Sequence, residues 1–411
     1  MVAGTEADDH RIHAAEHFIL QEFIVKIIHC SDLHLDADLR SKYDSPAASG
    51  RRAELLGGFG RLCRWAQVHD VDAVLICGDL FDTDTPSPSA VRTVEDLILA
   101  NEEILFFYLR GNHDSRQAVF SRREKPGNLI LFDEHWAAWD LAAPTVGRGS
   151  STGGSDPIHG YSGGPAGGRS ICIAGREPGH SPLTAPALDP SRLNIVMLHG
   201  QITEGQTGLD PESIPLGLMR GCGIDYLALG HLHHYRSFTL DARGKAAYSG
   251  CLEGRGFDEC GDCGFILIDT GLMNTELRIR FVPFASRRIY RIPCDITGCM
   301  SDTDAYDRIA DALDASPAGE HDLVRLELTG DLEYGCSPDP SLVQRQWEGR
   351  YHYFDYINSA RPVIHSEDFV CDATLKGEFV RTVCAAGELG DEQQARILRC
   401  GLRALSGEPL F

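Results

Sequence analysis

The 411-residue chain contains no run of the roughly 18 or more apolar residues that a membrane-spanning helix requires. Its opening, MVAGTEADDHRIHAAEHFILQEF, is acidic and lacks the basic start and apolar centre of a secretory signal. Both absences point to a cytoplasmic protein with no membrane association. Positive charge is also scarce, with 38 Lys and Arg against 60 Asp and Glu and a net charge of −22. Such a chain repels polyanions unless its cations are clustered or bound metal offsets the charge, which excludes indiscriminate coating of DNA. No internal repeat is visible. A second CxxC is missing as well, so Cys260 and Cys263 supply two thiolates where a structural zinc takes four. The 14 cysteines are scattered along a long chain and read as reduced small hydrophobes, not as the disulfide frame of a short secreted protein.

What is present is an ordinary globular composition, 43% hydrophobic and 24% charged, at a length that fits one large domain and a smaller companion. Residues 1–23 lack periodicity and read as an N-terminal extension. IVKIIHC, Ile24 to Cys30, is a β-branched run ending in polar SDLH. Leu55, Phe59, Leu62 and Ala66 then share one helical face, and VDAVLIC, Val71 to Cys77, is a continuous apolar strand. Beyond Pro86 and Pro88, Val91, Val94, Leu97 and Ile98 mark a second amphipathic helix, followed by EILFFYL, Glu103 to Leu109. This alternation predicts a buried, largely parallel sheet covered by helices. The Gly/Ser-rich stretch 146–168 reads as a surface loop. Strand-like runs resume at SICIAG, LNIVMLH, DYLALGH, AAYSG, GFILIDT and LRIRFVPF, and their close spacing predicts a second, more antiparallel sheet. After ASRRIYRI the pattern becomes short strands mixed with acidic helices, which places domains at 24–285 and 286–411.

Chemistry-bearing residues gather where these strands end. In order they are Asp32 and His34, then Gly78-Asp79-Leu80-Phe81-Asp82, Gly111-Asn112-His113-Asp114, His199-Gly200, and Gly230-His231-Leu232-His233. Open α/β sheets collect functional groups in the crevice beyond the carboxyl ends of their strands. Mixed imidazole, carboxylate and amide donors suit two transition metals such as Mn²⁺, Fe²⁺ or Zn²⁺ better than Mg²⁺ or Ca²⁺ alone. The glycines let the backbone turn sharply off each strand. His29, His234 and Asp114 read as structural, Asp114 as a cap.

The ordered motifs DxH, GDxxD, GNHD, HG and GHxH resemble those of the calcineurin-like metallophosphoesterase superfamily. Within it the context of the motifs is most similar to the SbcD-type DNA double-strand-break repair exonucleases, as is the later YSGCLEGRGFDECGDCGF. The resemblance covers residues 24–285. It implies a four-layer α/β/β/α sandwich with a smaller C-terminal α+β domain, and a dinuclear centre. By resemblance Asp32, His34 and His233 hold one metal, most naturally Mn²⁺, and Asn112, His199 and His231 hold the other. Asp79 bridges the two, and a hydroxide shared by the metals attacks phosphorus. His113 acts beside the metals on the transition state or leaving oxygen, Asp82 orients His113, and Arg255 grips substrate phosphate. The implied activity is metal-dependent exonucleolytic hydrolysis of DNA with an SMC-like ATPase partner, a homodimer being an open option and residues 286–411 capping the DNA or docking the partner. The alternatives are a phosphatase or phosphodiesterase for a small phosphate ester, which the negative charge favours, and a non-catalytic scaffold. Arg51, Arg52, Arg61 and Arg64, with Arg116, Arg122, Arg123 and Lys125, are the local cations available for DNA.

Overall fold

The structure is a computed structural model that describes residues 24–114, 125–141, 169–179, 181–205, 211–271, 277–333, 336, 338–386 and 390–407. The N-terminal extension, the 146–168 loop, Arg116, Arg122 and Arg123 lie outside the described residues. Packing divides the chain into two units, up to Ser286 and from Arg287.

The first unit opens with β1 (Lys26–Cys30), α1 (Ser45–Val68), β2 (Ala73–Cys77), α2 (Pro88–Leu99), β3 (Leu105–Leu109) and β4 (Leu129–Leu131). Both helices start as their sequences dictate. Asp44 and Ser87 accept hydrogen bonds from Ala47 N and Ala90 N, and a proline stands in each first turn, where its missing N–H costs nothing. Leu55, Phe59, Leu62 and Ala66 are all buried, with the Phe59 ring 6.4 Å from Phe106 on β3. Strands β1 to β4 are parallel neighbours, as the alternation predicts.

The chain continues through β5 (Ala137–Leu141), β6 (Ile171–Gly175), β7 (Leu193–His199), β8 (Gln201–Thr203), β9 (Ser213–Pro215) and α3 (Leu216–Met219). It closes with β10 (Tyr226–Gly230), β11 (Arg236–Thr239), β12 (Lys245–Tyr248), β13 (Gly264–Asp269) and β14 (Arg278–Pro283). Two expectations are corrected here. The second sheet, in the order β11-β12-β10-β7-β6-β5, is mainly parallel: β12, β10, β7 and β6 run the same way and only the two edge strands oppose them. The runs GFILIDT and LRIRFVPF do not join it. As β13 and β14 they extend the first sheet antiparallel from β1, giving β14-β13-β1-β2-β3-β4. Close spacing in sequence favours a hairpin, which β13 and β14 do make, but it says nothing about which sheet receives the pair.

The two sheets pack face to face. Alternate residues of each, Ile27, Leu75, Cys77, Phe107 and Ile266 from the first and Ile173, Ile195, Met197, Tyr226 and Ala228 from the second, form one dry core. The outer face of the second sheet is covered, among the described residues, by short α3 and adjoining loops through Ile214, Leu216, Met219 and Ile224. The architecture is a mixed α/β sandwich of two six-stranded sheets.

His29 is fully buried between the sheets. Its Nε2 lies 3.2 Å from Leu229 O, an acceptor only, so that nitrogen carries the proton and Nδ1 accepts from the Tyr226 hydroxyl at 2.9 Å. Burial lowers its pKa to about 3, against a partly opposing bond to the Leu229 carbonyl. The unfolded chain takes up this proton near the ordinary value of 6.5 while the folded chain refuses it, so the stability tied to neutral His29 is complete above 6.5. Roughly 4–5 kcal/mol of it is lost as pH falls from 6.5 to about 3. Urea melts at pH 7 and pH 4 are expected to show this loss shrinking in His29→Gln; an equal acid sensitivity in the variant contradicts the assignment.

The second unit contains β15 (Ile289–Asp295), α4 (Asp302–Asp314), β16 (Leu323–Thr329), β17 (Asp331–Leu332), α5 (Pro340–Trp347), β18 (Tyr353–Asn358), β19 (Arg361–Pro362), α6 (Leu375–Ala385) and α7 (Asp391–Leu405). Strands β15, β16 and β18 form a parallel sheet, with α4 and α5 as the crossovers, around a core that includes Ile292, Ile309, Leu326 and Trp347. Ser301 and Asp304 make a reciprocal capping box at the start of α4. Helices α6 and α7 pack on each other through Val380, Val383, Leu398 and Leu402.

Candidate metal centre

Five parallel strands of the two sheets end at the same edge of the sandwich, and the loops that leave them meet there. Asp32 and His34 follow β1, Asp79 and Asp82 follow β2, Asn112 and His113 follow β3, His199 closes β7, and His231 and His233 follow β10. The backbone bends hard to present them. Asp32, His34, Asp79 and His231 all adopt positive φ, between 44° and 104°, a region that side-chain-bearing residues occupy only when the surroundings hold them there. Gly78, also at positive φ, has no room for a side chain, since a Cβ would collide with the His199 ring. Asp114 ties the loops after β2 and β3 together by accepting from Leu80 N, Phe81 N and Gly111 N at 2.9–3.1 Å. Burial, with the Asp79 charge nearby, raises its pKa.

The donor atoms fall into overlapping clusters. Ligand atoms of Asp32, His34 and His233 lie within 4.8 Å of one another, as do those of Asp32, Asp79 and His199, and those of His34, Asp82 and His113. Asp79 Oδ2 sits between two imidazoles, 3.7 Å from His34 Nε2 and 3.6 Å from His199 Nε2. His199 also lies 3.0 Å from Asn112 Oδ1. His231 comes alongside, its ring centroid 5.4 Å from that of His199, but none of the three clusters includes it. Its backbone N–H donates to both Asp32 carboxylate oxygens at 3.0 and 3.1 Å, and burial, with the second imidazole of His199 beside it, lowers its pKa.

The protons of these rings are spoken for. His199 Nδ1 lies 2.9 Å from Cys77 O and His233 Nδ1 lies 2.7 Å from Glu259 Oε1, both acceptors only, so Nδ1 of each ring carries a hydrogen and Nε2 of the neutral ring a lone pair; Arg255 Nη2 also comes within 3.1 Å of His233 Nδ1. His34 Nδ1 is 2.9 Å from Asp82 Oδ1, in an approach too oblique for a well-formed hydrogen bond but of the same polarity. With these rings neutral, acceptors face acceptors. His34 Nε2 meets His233 Nε2 at 3.2 Å, and His199 Nε2 meets Asn112 Oδ1 at 3.0 Å. A cation between such groups, beside buried Asp32 and Asp79, would satisfy both sides at once. The donor set of imidazoles, carboxylates and an amide oxygen fits divalent transition metals.

Three residues act differently from the motif reading. Asp82 does hold the His113 ring, but through its main-chain carbonyl, 3.2 Å from His113 Nδ1. Its carboxylate goes to His34 and to Arg255 Nη1 at 2.5 Å, which together outweigh burial and lower its pKa. Arg255 was expected on substrate phosphate. Instead its guanidinium is clamped between Asp82 and Glu259, with Nε and Nη2 donating to Glu259 Oε1 at 3.0 and 2.7 Å and the side chain only 12% exposed. Glu259, which motif reading missed, is the centre of this clamp: buried, and bonded also to Arg255 N at 2.6 Å. Burial alone would raise its pKa, but His233 and Arg255 pull it well below the carboxylate range. In return, Glu259 raises the pKa of His233 against the opposing effect of burial. The one sequence signal was an acid four residues after Arg255, obscured by the flanking cysteines. Of these, Cys263 meets Cys251, with sulfurs 3.4 Å apart, while Cys260 Sγ donates to Phe257 O, so the CxxC is no chelate.

A carboxylate that fixes a ligand histidine through its second nitrogen tunes metal affinity. Glu259→Gln is expected to weaken metal binding roughly 10–100-fold with the fold retained, measured by calorimetric titration of the apo-protein with Mn²⁺. Unchanged affinity contradicts the assignment.

The sequence model of the calcineurin-like phosphoesterases matches residues 25–235, just over half of the chain. The chain belongs to the calcineurin-like phosphoesterase family. It is thereby placed in a metallophosphoesterase superfamily of hydrolases that bind two divalent metals. Among curated relatives, the SbcD subunit of the nuclease SbcCD from Escherichia coli K12 is 37% identical over 103 residues, 24% of this chain and 24% of the relative, and that from Escherichia coli O157:H7 gives the same values. The match thus spans about a quarter of those relatives' length. Similar solved structures include GAP50, the anchor in the inner membrane complex of Plasmodium, at TM-score 0.39 and 11% identity over 64% of this chain and 85% of that one. A dimetal phosphatase from Danio rerio has TM-score 0.35 and 11% identity over 64% and 99%. Among the described residues no helix of this phosphoesterase is long and apolar enough to cross a membrane.

Proposed function

We propose that this phosphoesterase hydrolyses phosphodiester bonds of DNA, as an exonuclease in DNA repair, with two Mn²⁺ ions, Fe²⁺ or Zn²⁺ being able to replace them. The observation that carries the reading is the pair of acceptor-to-acceptor contacts flanking Asp79, with His113 exposed beside them. In this assignment Asp32, His34 and His233 would hold one ion, Asn112, His199 and His231 would hold the other, and Asp79 would be shared by both. When bound, the ions supply Lewis-acid charge to the phosphoryl oxygens and an activated water. The chain supplies the rest. The His113 backbone N–H donates to Asp79 Oδ1 at 3.0 Å and the Asp82 carbonyl holds its Nδ1, so its Nε2 is the atom left to protonate the leaving oxygen. Arg255 positions Asp82 and Glu259, and through them His34 and His233.

The likeness to the SbcD subunit of SbcCD supports DNA as substrate and an SMC-like ATPase as partner, with residues 286–411 docking that partner or capping the DNA and self-association as a dimer remaining compatible. A second reading, a small phosphate ester as substrate, has specific support: the net charge is −22, Arg51 is buried against Glu54 and Gly254 O, and Arg61 and Arg52 pair with Glu253 and Asp36. These arginines are thereby withdrawn from DNA. Incubating the Mn²⁺-loaded protein with end-labelled linear duplex, single-stranded DNA and bis(4-nitrophenyl) phosphate separates the two. Shortening of DNA from its ends alongside ester hydrolysis is the expected result; ester hydrolysis with DNA untouched overturns the nuclease reading.

A further inference from the structure

Beyond the metal centre, the two sheets share an open edge. β14 ends the first sheet and β11 the second, each paired on one side only. Tyr235, just before β11, stacks on Phe281 of β14 with ring centroids 4.6 Å apart and planes 25° from parallel. Phe281 packs against the core and so backs the pair, while Tyr235 is 39% exposed. It follows His233 by two residues, a chain distance of at most about 7 Å.

Charge around this ring pair runs against that of the whole molecule. Residues 234–239 (HYRSFT) and 278–283 (RIRFVP) contain three arginines and no carboxylate. Arg278 stands opposite Asp269 in the ladder, but Arg280 faces Leu267 and Arg236 faces Tyr248. Among the described residues neither Arg236 nor Arg280 makes an ion pair, and both are exposed. Ile279 and Phe281 face the core, so alternation sends Arg280 to the other face of its sheet, while Tyr248 places Arg236 on the outer face of the second sheet. Arg236 and Arg280 thus stand next in sequence to the two rings of the pair, on the outer faces of the two sheets that meet at this edge.

We infer that Tyr235, supported by Phe281 and flanked by Arg236 and Arg280, is a stacking platform for a base of a single-stranded DNA segment entering the metal centre. A ring face accepts any base, and the flanking cations take the phosphates without reading sequence. This rests on the nucleic-acid reading above.

The test uses the full chain, wild type, Tyr235→Ala and Tyr235→Phe, with a short single-stranded oligonucleotide carrying 2-aminopurine and with bis(4-nitrophenyl) phosphate. Wild type and Tyr235→Phe are expected to quench 2-aminopurine on binding, and Tyr235→Ala to lose the quench and raise KM for the oligonucleotide at least fivefold. All three are expected to hydrolyse the small ester at one rate. DNA cleavage by wild type with quench and KM unmoved in Tyr235→Ala overturns the platform and leaves the nuclease reading standing. Ester hydrolysis with no oligonucleotide binding by wild type overturns both. Loss of ester hydrolysis in Tyr235→Ala assigns Tyr235 to the integrity of the centre and overturns the platform.

Discussion

Replacing His113 with alanine is expected to lower phosphodiester turnover roughly 10²–10⁴-fold while leaving bound metal at its wild-type level. The ring of His113 stands edge-on to His34 with centroids 5.0 Å apart, in the cluster of His34, Asp82 and His113, and its Nδ1 is held by the Asp82 carbonyl. The carbonyl engages Nδ1 and leaves Nε2 as the nitrogen available for proton transfer. Because the main effect is on proton delivery, a diester with a better leaving group is expected to suffer less from the substitution. Kinetics on two nitrophenyl diesters of different leaving-group pKa, with metal content by mass spectrometry, check this. Loss of metal together with activity would show that His113 is a ligand.

Asp79→Asn is expected to abolish activity and to remove most of the bound metal, because it neutralises the carboxylate whose Oδ2 lies 3.7 Å from His34 Nε2 and 3.6 Å from His199 Nε2. Its effect on the apo-protein has the opposite sign. Asp79 is buried, stands in one ligand cluster with Asp32, and its charge contributes to the raised pKa of Asp114. Neutralising it relieves repulsion among buried carboxylates, while an asparagine can still accept from His113 N. Apo Asp79→Asn is therefore expected to melt at or above the temperature of apo wild type. The rise in melting temperature that saturating Mn²⁺ gives wild type, worth about 2.7 kcal/mol at a hundred times Kd, is expected to vanish. A variant with a preserved metal-dependent rise would rule out Asp79 as the shared ligand.

Much of this was legible in the sequence, for a physical reason. β2, β3 and β10 are buried on both faces and read as unbroken apolar stretches, β1 and β7 each carry an internal buried polar residue, His29 and Asn194, and the polar residues that end or follow these five strands mark where the chain leaves the core. That brings Asp32, His34, Asp79, Asn112, His199 and His233 to one edge without any knowledge of pairing. Pairing itself was not legible. β13 joins β1 across more than 230 residues of chain, and neither strand carries a mark of its neighbour. The groups behind the metal donors were hidden too. Glu259 and Arg255 look like surface charges until burial and the His233 contact are known, and an arginine near a metal motif invites a phosphate when its donors are already committed to carboxylates.

The most direct measurement is anomalous diffraction at the manganese edge from crystals of the full chain grown with Mn²⁺. The expected result is two peaks roughly 3.5–4 Å apart, one beside Asp32, His34 and His233, the other beside Asn112 and His199, with the Asp79 carboxylate between them. A single peak, or two peaks that do not share Asp79, would contradict the dinuclear centre and the chemistry assigned to it.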